Sequence, residues 1–279
     1  MKKLFISVFV LAFSANLFAQ NNVQLTDAEL EILLEERQRV ADAAESLLSN
    51  MDPSINSASQ ENNDDLWQEK TGSSNPLNGK DVGNYAKPAI VDIDNDGDYD
   101  VFVGSSNGQM YYFKNTGSNS NVVLTQQTST SAYPLHNVNI GGESNPTFID
   151  IDGDGDFDLF NGITGGTVRY YQNTGSKTSM SFTERITSST HPLYGKDFGT
   201  LVAPVFVDID NDGDYDFFTG HSGGTIIHYL NTGTKTSPAF TEKTGASNPF
   251  NNVDVGNYSQ PTFVDLDNDG DKDALIGAS

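Results

Sequence analysis

The residues with the clearest chemical potential are the aspartates of four nine-residue loops. They are Asp92, Asp94, Asp96, Asp98 and Asp100; Asp150, Asp152, Asp154, Asp156 and Asp158; Asp208, Asp210, Asp212, Asp214 and Asp216; and Asp265, Asp267, Asp269, Asp271 and Asp273. Carboxylates stand at loop positions 1, 3, 5, 7 and 9, and Gly97, Gly155, Gly213 and Gly270 at position 6. Calcium takes about 6 to 8 oxygen ligands, and a glycine at the sixth position lets a chain turn sharply around one ion. In such a cage positions 1, 3, 5 and 9 offer side-chain oxygens and position 7 a backbone carbonyl. An EF-hand would need Glu at position 12 and a helix after it; here position 12 is Val103, Asn161, Thr219 or Ile276, with β-type flanks. Magnesium prefers to keep several waters, and transition metals favour His or Cys, which the loops lack. The expected cofactor is therefore Ca2+, four ions held by the twenty aspartates.

No arrangement of this kind points to catalysis. The chain has no Cys, which removes disulfides, thiolate metal sites and a thiol nucleophile. His136, His191, His221 and His228 fall in different parts of the repeat without ligand spacing, and no Gly-x-Ser-x-Gly motif occurs. No catalytic residue is assigned, and the histidines are read as surface or packing residues.

The elements that must position the loops recur with them. The loops start at steps of 58, 58 and 57 residues, and Pro88, Pro146, Pro204 and Pro261 keep the same phase, as do Gly104, Gly162, Gly220 and Gly277. A period carried by several independent markers signals a repeat architecture. Each unit has an apolar run before the acidic loop, such as Val205-Phe206-Val207, and another after it, such as Val101-Phe102-Val103. A third strand is expected over residues 109–114, 167–172 and 225–230, closed by Asn-Thr-Gly turns at Asn115, Asn173 and Asn231. A fourth begins at Trp67, Leu124, Phe182 and Phe240. Apolar strands without clean alternation suit sheets covered on both faces. The fold class predicted is all-β, a β-propeller of four-stranded blades, incomplete at about three and a half; an open solenoid or string of small sandwiches is the alternative. The units run near 67–123, 124–181, 182–239 and 240–279, the last stopping after its second strand as expected of a partial chain.

Residues 1–19, with Lys2 and Lys3 before an apolar run from Leu4 to Phe13, read as a secretory signal peptide cleaved after Ala19. The run is too short to span a membrane, which takes about 20 residues. An amphipathic helix is predicted over 26–50, opened by the capping box Thr26-Asp27-Ala28-Glu29, followed by a polar linker to residue 66. Net charge is −23, from 38 acidic and 15 basic residues. That excess argues against nucleic acid and anionic membranes and for cations as partners.

The units resemble the FG-GAP repeats, also called VCBS-like repeats, of integrin α-subunit propellers and bacterial surface proteins. The likeness rests on the Pro-x-x-x-Asp-x-Asp-x-Asp-Gly-Asp-x-Asp core, as in Pro146 to Asp158, with Gly162, Gly166, Tyr171 and Asn173 downstream. The resemblance implies that each loop joins the first and second strands of a blade and holds calcium. It also implies a module that binds a protein or glycan ligand, or one that accompanies a catalytic domain elsewhere in a longer extracellular enzyme. The family geometry puts the long connections that carry Tyr85, Tyr133, Tyr194 and Tyr258 opposite the calcium loops, and Tyr suits contact with proteins and glycans. The expected location is secreted or at the cell surface.

Overall fold

A computed structural model describes residues 69–118, 120–267 and 269–279. The chain divides into two compact units, residues 1–70 and 71–279, and everything below concerns the second. The signal peptide, the helix predicted over 26–50, the linker and the strand at Trp67 lie outside the described residues.

Fourteen strands are described, and each sheet is a simple antiparallel meander. The first comprises β1 (Lys87–Val91), β2 (Asp100–Gly104), β3 (Met110–Asn115) and β4 (Leu124–Gln126). The second comprises β5 (Asn145–Ile149), β6 (Asp158–Gly162), β7 (Val168–Asn173) and β8 (Phe182–Arg185). The third comprises β9 (Ala203–Val207), β10 (Asp216–Gly220), β11 (Ile226–Asn231) and β12 (Phe240–Lys243). The fourth contains β13 (Gln260–Val264) and β14 (Asp273–Gly277). The register repeats: Val91 faces Asp100, Ile149 faces Asp158, Val207 faces Asp216 and Val264 faces Asp273. Each acidic loop is thus the hairpin connection between the first two strands of its sheet.

Every residue of β6 and β10 is buried, the polar Asp158, Asn161, Asp216 and Thr219 along with the apolar ones, as befits strands covered on both faces. Phe102 lies 4.4 Å from Phe148 of the next sheet, Phe160 lies 4.7 Å from Phe206, and Phe218 lies 4.8 Å from Phe263. One aromatic contact is thereby repeated at three sheet junctions. Close approach there depends on glycine. A β-carbon on Gly104, Gly162 or Gly220 would stand 2.1, 2.1 or 2.0 Å from the carbonyl oxygen of Ser144, Val202 or Ser259 in the following unit.

The predicted propeller is not formed. The sheets make an open series, none closes into a barrel or propeller, and no helix of seven or more residues occurs among the described residues. Closure requires that the outer faces of the first and last sheets cover each other. Ile90, the register equivalent of Phe148 and Phe206, is instead 67% exposed, and Leu275, the equivalent of Phe102 and Phe160, is 49% exposed. The last sheet offers two strands to such a contact, too little apolar area to bury either end.

Candidate metal centres

Within each loop the first aspartate organises the backbone. Asp92 accepts from the N–H groups of Asp96 (3.1 Å) and Gly97 (3.0 Å), Asp208 from Asp212 (3.1 Å) and Gly213 (3.0 Å), and Asp265 from Asp269 (3.2 Å) and Gly270 (3.1 Å). Asp150 accepts from Gly155 at 3.0 Å. The position-6 glycines take φ between +92° and +98°, a region that L side chains enter only with strain. This curl brings carboxylates together. One oxygen from each of Asp92, Asp94 and Asp96 lies within 4.8 Å of the others, and the same holds for Asp150, Asp152 and Asp154 and for Asp265, Asp267 and Asp269. In the third loop the group is Asp208, Asp210 and Asp216.

The structure divides the remaining predicted ligands by position. At position 9, Asp100 and Asp158 face inward as struts: Asp100 accepts the Asn115 N–H (2.7 Å) and the Tyr112 hydroxyl (2.9 Å), and Asp158 accepts the Asn173 N–H (2.6 Å) and the Tyr170 hydroxyl (2.9 Å). Asp216 accepts the Asn231 N–H (2.7 Å) but meets Ile209 N–H (3.2 Å) with its other oxygen, because His228 stands where the earlier units have Tyr. Asp273 accepts Leu266 N–H at 2.9 Å. At position 7, Asp156 and Asp214 are 6% and 8% exposed, and Oδ1 of each is buried without a hydrogen-bond partner. Asp98 is partly buried and Asp271 exposed, and their backbone N–H groups bond the position-5 carboxylates. Asp212 stands at position 5 of the third loop, outside its three-residue group, and accepts from Asp214 N–H at 3.1 Å.

The electrostatics follow from burial and crowding. Desolvation pushes Asp158 up to about 8 despite the Asn173 N–H and Tyr170 hydroxyl that stabilise its charge. Asp100 and Asp216 rise to about 6 for the same first reason. Asp156 rises to about 6 through burial and then through repulsion from Asp154, Asp152 and Asp150, and Asp214 rises through burial and the charges of Asp212, Asp210 and Asp208. A buried, unpartnered carboxylate oxygen facing three other carboxylates is costly unless a cation satisfies it.

Side chains from the third strand reach into these loops, and the motif gave no warning of them. Lys114 of β3 bonds Asp94 Oδ2 and lies 3.4 Å from Asp96 Oδ2. Gln172 of β7 donates to Asp152 Oδ2 at 2.6 Å. Tyr112 and Tyr170 were equally unassigned; each stands twelve residues after the position-9 Asp of its unit, a spacing that could have flagged them. Asn115, Asn173 and Asn231 open the Asn-Thr-Gly turns, and their Oδ1 atoms close the third-to-fourth-strand turn by accepting two backbone N–H groups each.

Comparison with known families matches an FG-GAP-like repeat three times, over residues 92–161, 150–219 and 208–276. The chain belongs to the FG-GAP-like repeat family. Each matched FG-GAP-like unit starts at the first Asp of one loop and ends in the second strand of the next sheet, so it carries one sheet junction as well as two loops. FG-GAP-like repeats are non-catalytic, in keeping with the histidines' positions: His191 Nε2 is 2.9 Å from the Val168 carbonyl, His228 is stacked on Phe218 at 4.1 Å, and His221 Nε2 is 2.9 Å from Thr225 Oγ1. No curated protein matches the chain.

The four tyrosines on the long connections separate. Tyr133 is core, fully buried between Phe102 and Tyr112. Tyr194 lies half-exposed beside His191. Tyr85 and Tyr258 share a cavity of about 320 Å³ with Lys87, Glu143, Leu201 and Gln260. Tyr85, Glu143, Leu201 and Tyr258 are equivalent positions of the four units, and all four have φ between +51° and +62°, a strained setting for non-glycine residues. No helix among the described residues is long and apolar enough to cross a membrane.

Proposed function

We propose that the chain is an exported, calcium-stabilised binding module whose ligand is an extracellular protein or glycan. The observation that carries the cation half is the pair of buried, unpartnered Oδ1 atoms of Asp156 and Asp214, each facing the carboxylates of its own loop. The donor set is all oxygen, which favours a hard cation, and the loop geometry with glycine at position 6 suits calcium over magnesium. Calcium acts indirectly, by neutralising the hairpins that join the first two strands of each sheet. Export is supported by residues 1–19; in an exported chain without Cys, bound ions would do the cross-linking that disulfides otherwise do.

The binding half is placed at the cavity shared by Tyr85 and Tyr258. Two exposed aromatic rings beside Lys87 and Glu143 supply stacking area and both charges, which suits polar ligands with apolar faces. The test is capture of the mature chain by panels of immobilised polysaccharides and extracellular proteins in calcium and in chelator. Tyr85→Ala with Tyr258→Ala should lower capture by about tenfold or more without changing calcium-dependent melting, and N-terminal sequencing of exported chain should begin at Gln20. Unchanged capture by the double variant would move the binding surface elsewhere.

A further inference from the structure

The four acidic loops share one motif, yet the third strands that pack against them do not share the residue facing them. The fifth residue of that strand is Lys114 in β3, Gln172 in β7 and Leu230 in β11. Resting on the reading of the loops as cation sites, we propose that this residue sets each loop's affinity for calcium, with Lys114 acting as a tethered cation that holds the first loop closed to the ion.

The three loops offer three settings of the same position. In the first, the Lys114 ammonium bonds Asp94 and stands 3.4 Å from Asp96, so it uses two of the three carboxylates brought together there. A divalent ion at that point must displace the ammonium from those oxygens and then tolerate its charge on a short tether. In the second, Gln172 Nε2 occupies Asp152 without bringing a charge, and its Oε1 is held by the Arg185 guanidinium, 2.7 Å from Nε. Entry of an ion there costs one neutral hydrogen bond, with Arg185 as a more distant positive neighbour. In the third, Leu230 has nothing to donate, and no side chain bonds Asp210 among the described residues.

A second difference points the same way. Tyr112 and Tyr170 engage the position-9 carboxylates of the first two units, whereas His228 leaves Asp216 without a hydroxyl donor. Asp216 is accordingly the position-9 residue that joins a three-carboxylate group, with Asp208 and Asp210. The third loop therefore has the most uncommitted oxygen, the second an intermediate amount and the first the least. Buried Oδ1 atoms without partners occur at position 7 of the second and third loops, Asp156 and Asp214, whereas the corresponding Asp98 of the first loop is only partly buried and the buried, unpartnered atom there is Oδ1 of Asp94, the carboxylate whose other oxygen Lys114 bonds. Calcium should thus fill the array in the order third, second, first; the fourth loop, with no third strand against it among the described residues, is outside this rule.

Site-resolved titration tests the order. The amides of Gly97, Gly155 and Gly213 each donate to the first Asp of their loop at 3.0 Å and report it separately in 15N-edited NMR spectra of the mature full-length chain. With calcium chloride as the probe, Gly213 should respond first, then Gly155, with the Gly97 midpoint higher than that of Gly213 by about tenfold or more. Lys114→Gln should lower the Gly97 midpoint by about tenfold and leave Gly155 and Gly213 in place. Leu230→Lys should raise the Gly213 midpoint by a similar factor, and this arm with the wild-type order decides the matter if Lys114→Gln fails to fold. Coincident Gly97 and Gly213 titrations in the wild type, or midpoints indifferent to both substitutions, would overturn the proposal while leaving the loops as cation sites. Silence of all three amides up to about 10 mM calcium would overturn the cation reading itself and the ranking with it.

Discussion

Asp158 shows how one motif residue is committed to packing. Its two oxygens tie the end of β7 and the Tyr170 hydroxyl to the start of β6, and burial raises its pKa to about 8 against 3.8 in the unfolded chain. The folded chain then keeps a proton that the unfolded chain releases. That contribution to stability is complete below the unfolded value and is lost as pH rises through about 8. His191 and His228 act in the opposite sense at lower pH, since burial lowers both, His228 to about 4, so their share is lost as pH falls below the unfolded His value. The aspartate term is therefore best read from pH 7 upward. In chelator, the melting temperature should fall between pH 7 and 9, and Asp158→Asn should flatten the slope. Saturating calcium should flatten it too, because the ion favours ionised carboxylates throughout the loop. A metal-free chain whose stability rises over that interval would contradict the assignment.

At the scale of strands and hairpins, the repeat is joined where backbone meets backbone. Gly162 lies on a strand buried along its whole length, and a methyl group there would meet the Val202 carbonyl at 2.1 Å. Gly162→Ala should destabilise the chain by roughly 1–3 kcal/mol through overpacking, lowering the melting temperature by on the order of 5–10 °C. Gly277→Ala is the matched control: it is the same register position, its nearest neighbour would be the Gln260 oxygen at 3.8 Å, and little change is expected. Much of this level could be read from sequence. Leu124, Phe182 and Phe240 open β4, β8 and β12 as expected, and the three third strands fall within one residue of their predicted spans, because each is bracketed by its own glycine and Asn-Thr-Gly signals. The roles within the loop were less legible. Five aspartates at alternate positions look alike in the motif, and only contacts from residues twelve to twenty positions away distinguish the Asp158 strut from the Asp156 oxygen left without a partner. Closure was illegible for a different reason: a repeat period specifies how one sheet meets the next, and says nothing of how the first meets the last.

For the whole chain, the net charge of −23 is a liability that bound cations would relieve. Twenty of its acidic residues stand in four loops, and each of the first three loops caps a hairpin whose second strand fills a sheet junction, so loop repulsion and junction packing are mechanically linked. At roughly 1 mM calcium, a site with a dissociation constant of about 10⁻⁴ to 10⁻³ M contributes about 0.4–1.4 kcal/mol. Three or four such sites amount to a few kcal/mol, a large share of the roughly 5–15 kcal/mol that stabilises an ordinary domain. Calorimetric melting of the mature chain, first in chelator and then in millimolar calcium, bears on this most directly. The account predicts a rise of roughly 5 to 15 °C, reduced in Asp208→Ala and not reproduced by magnesium at the same concentration. A melting temperature indifferent to calcium, with no ion retained on equilibrium dialysis, would contradict it.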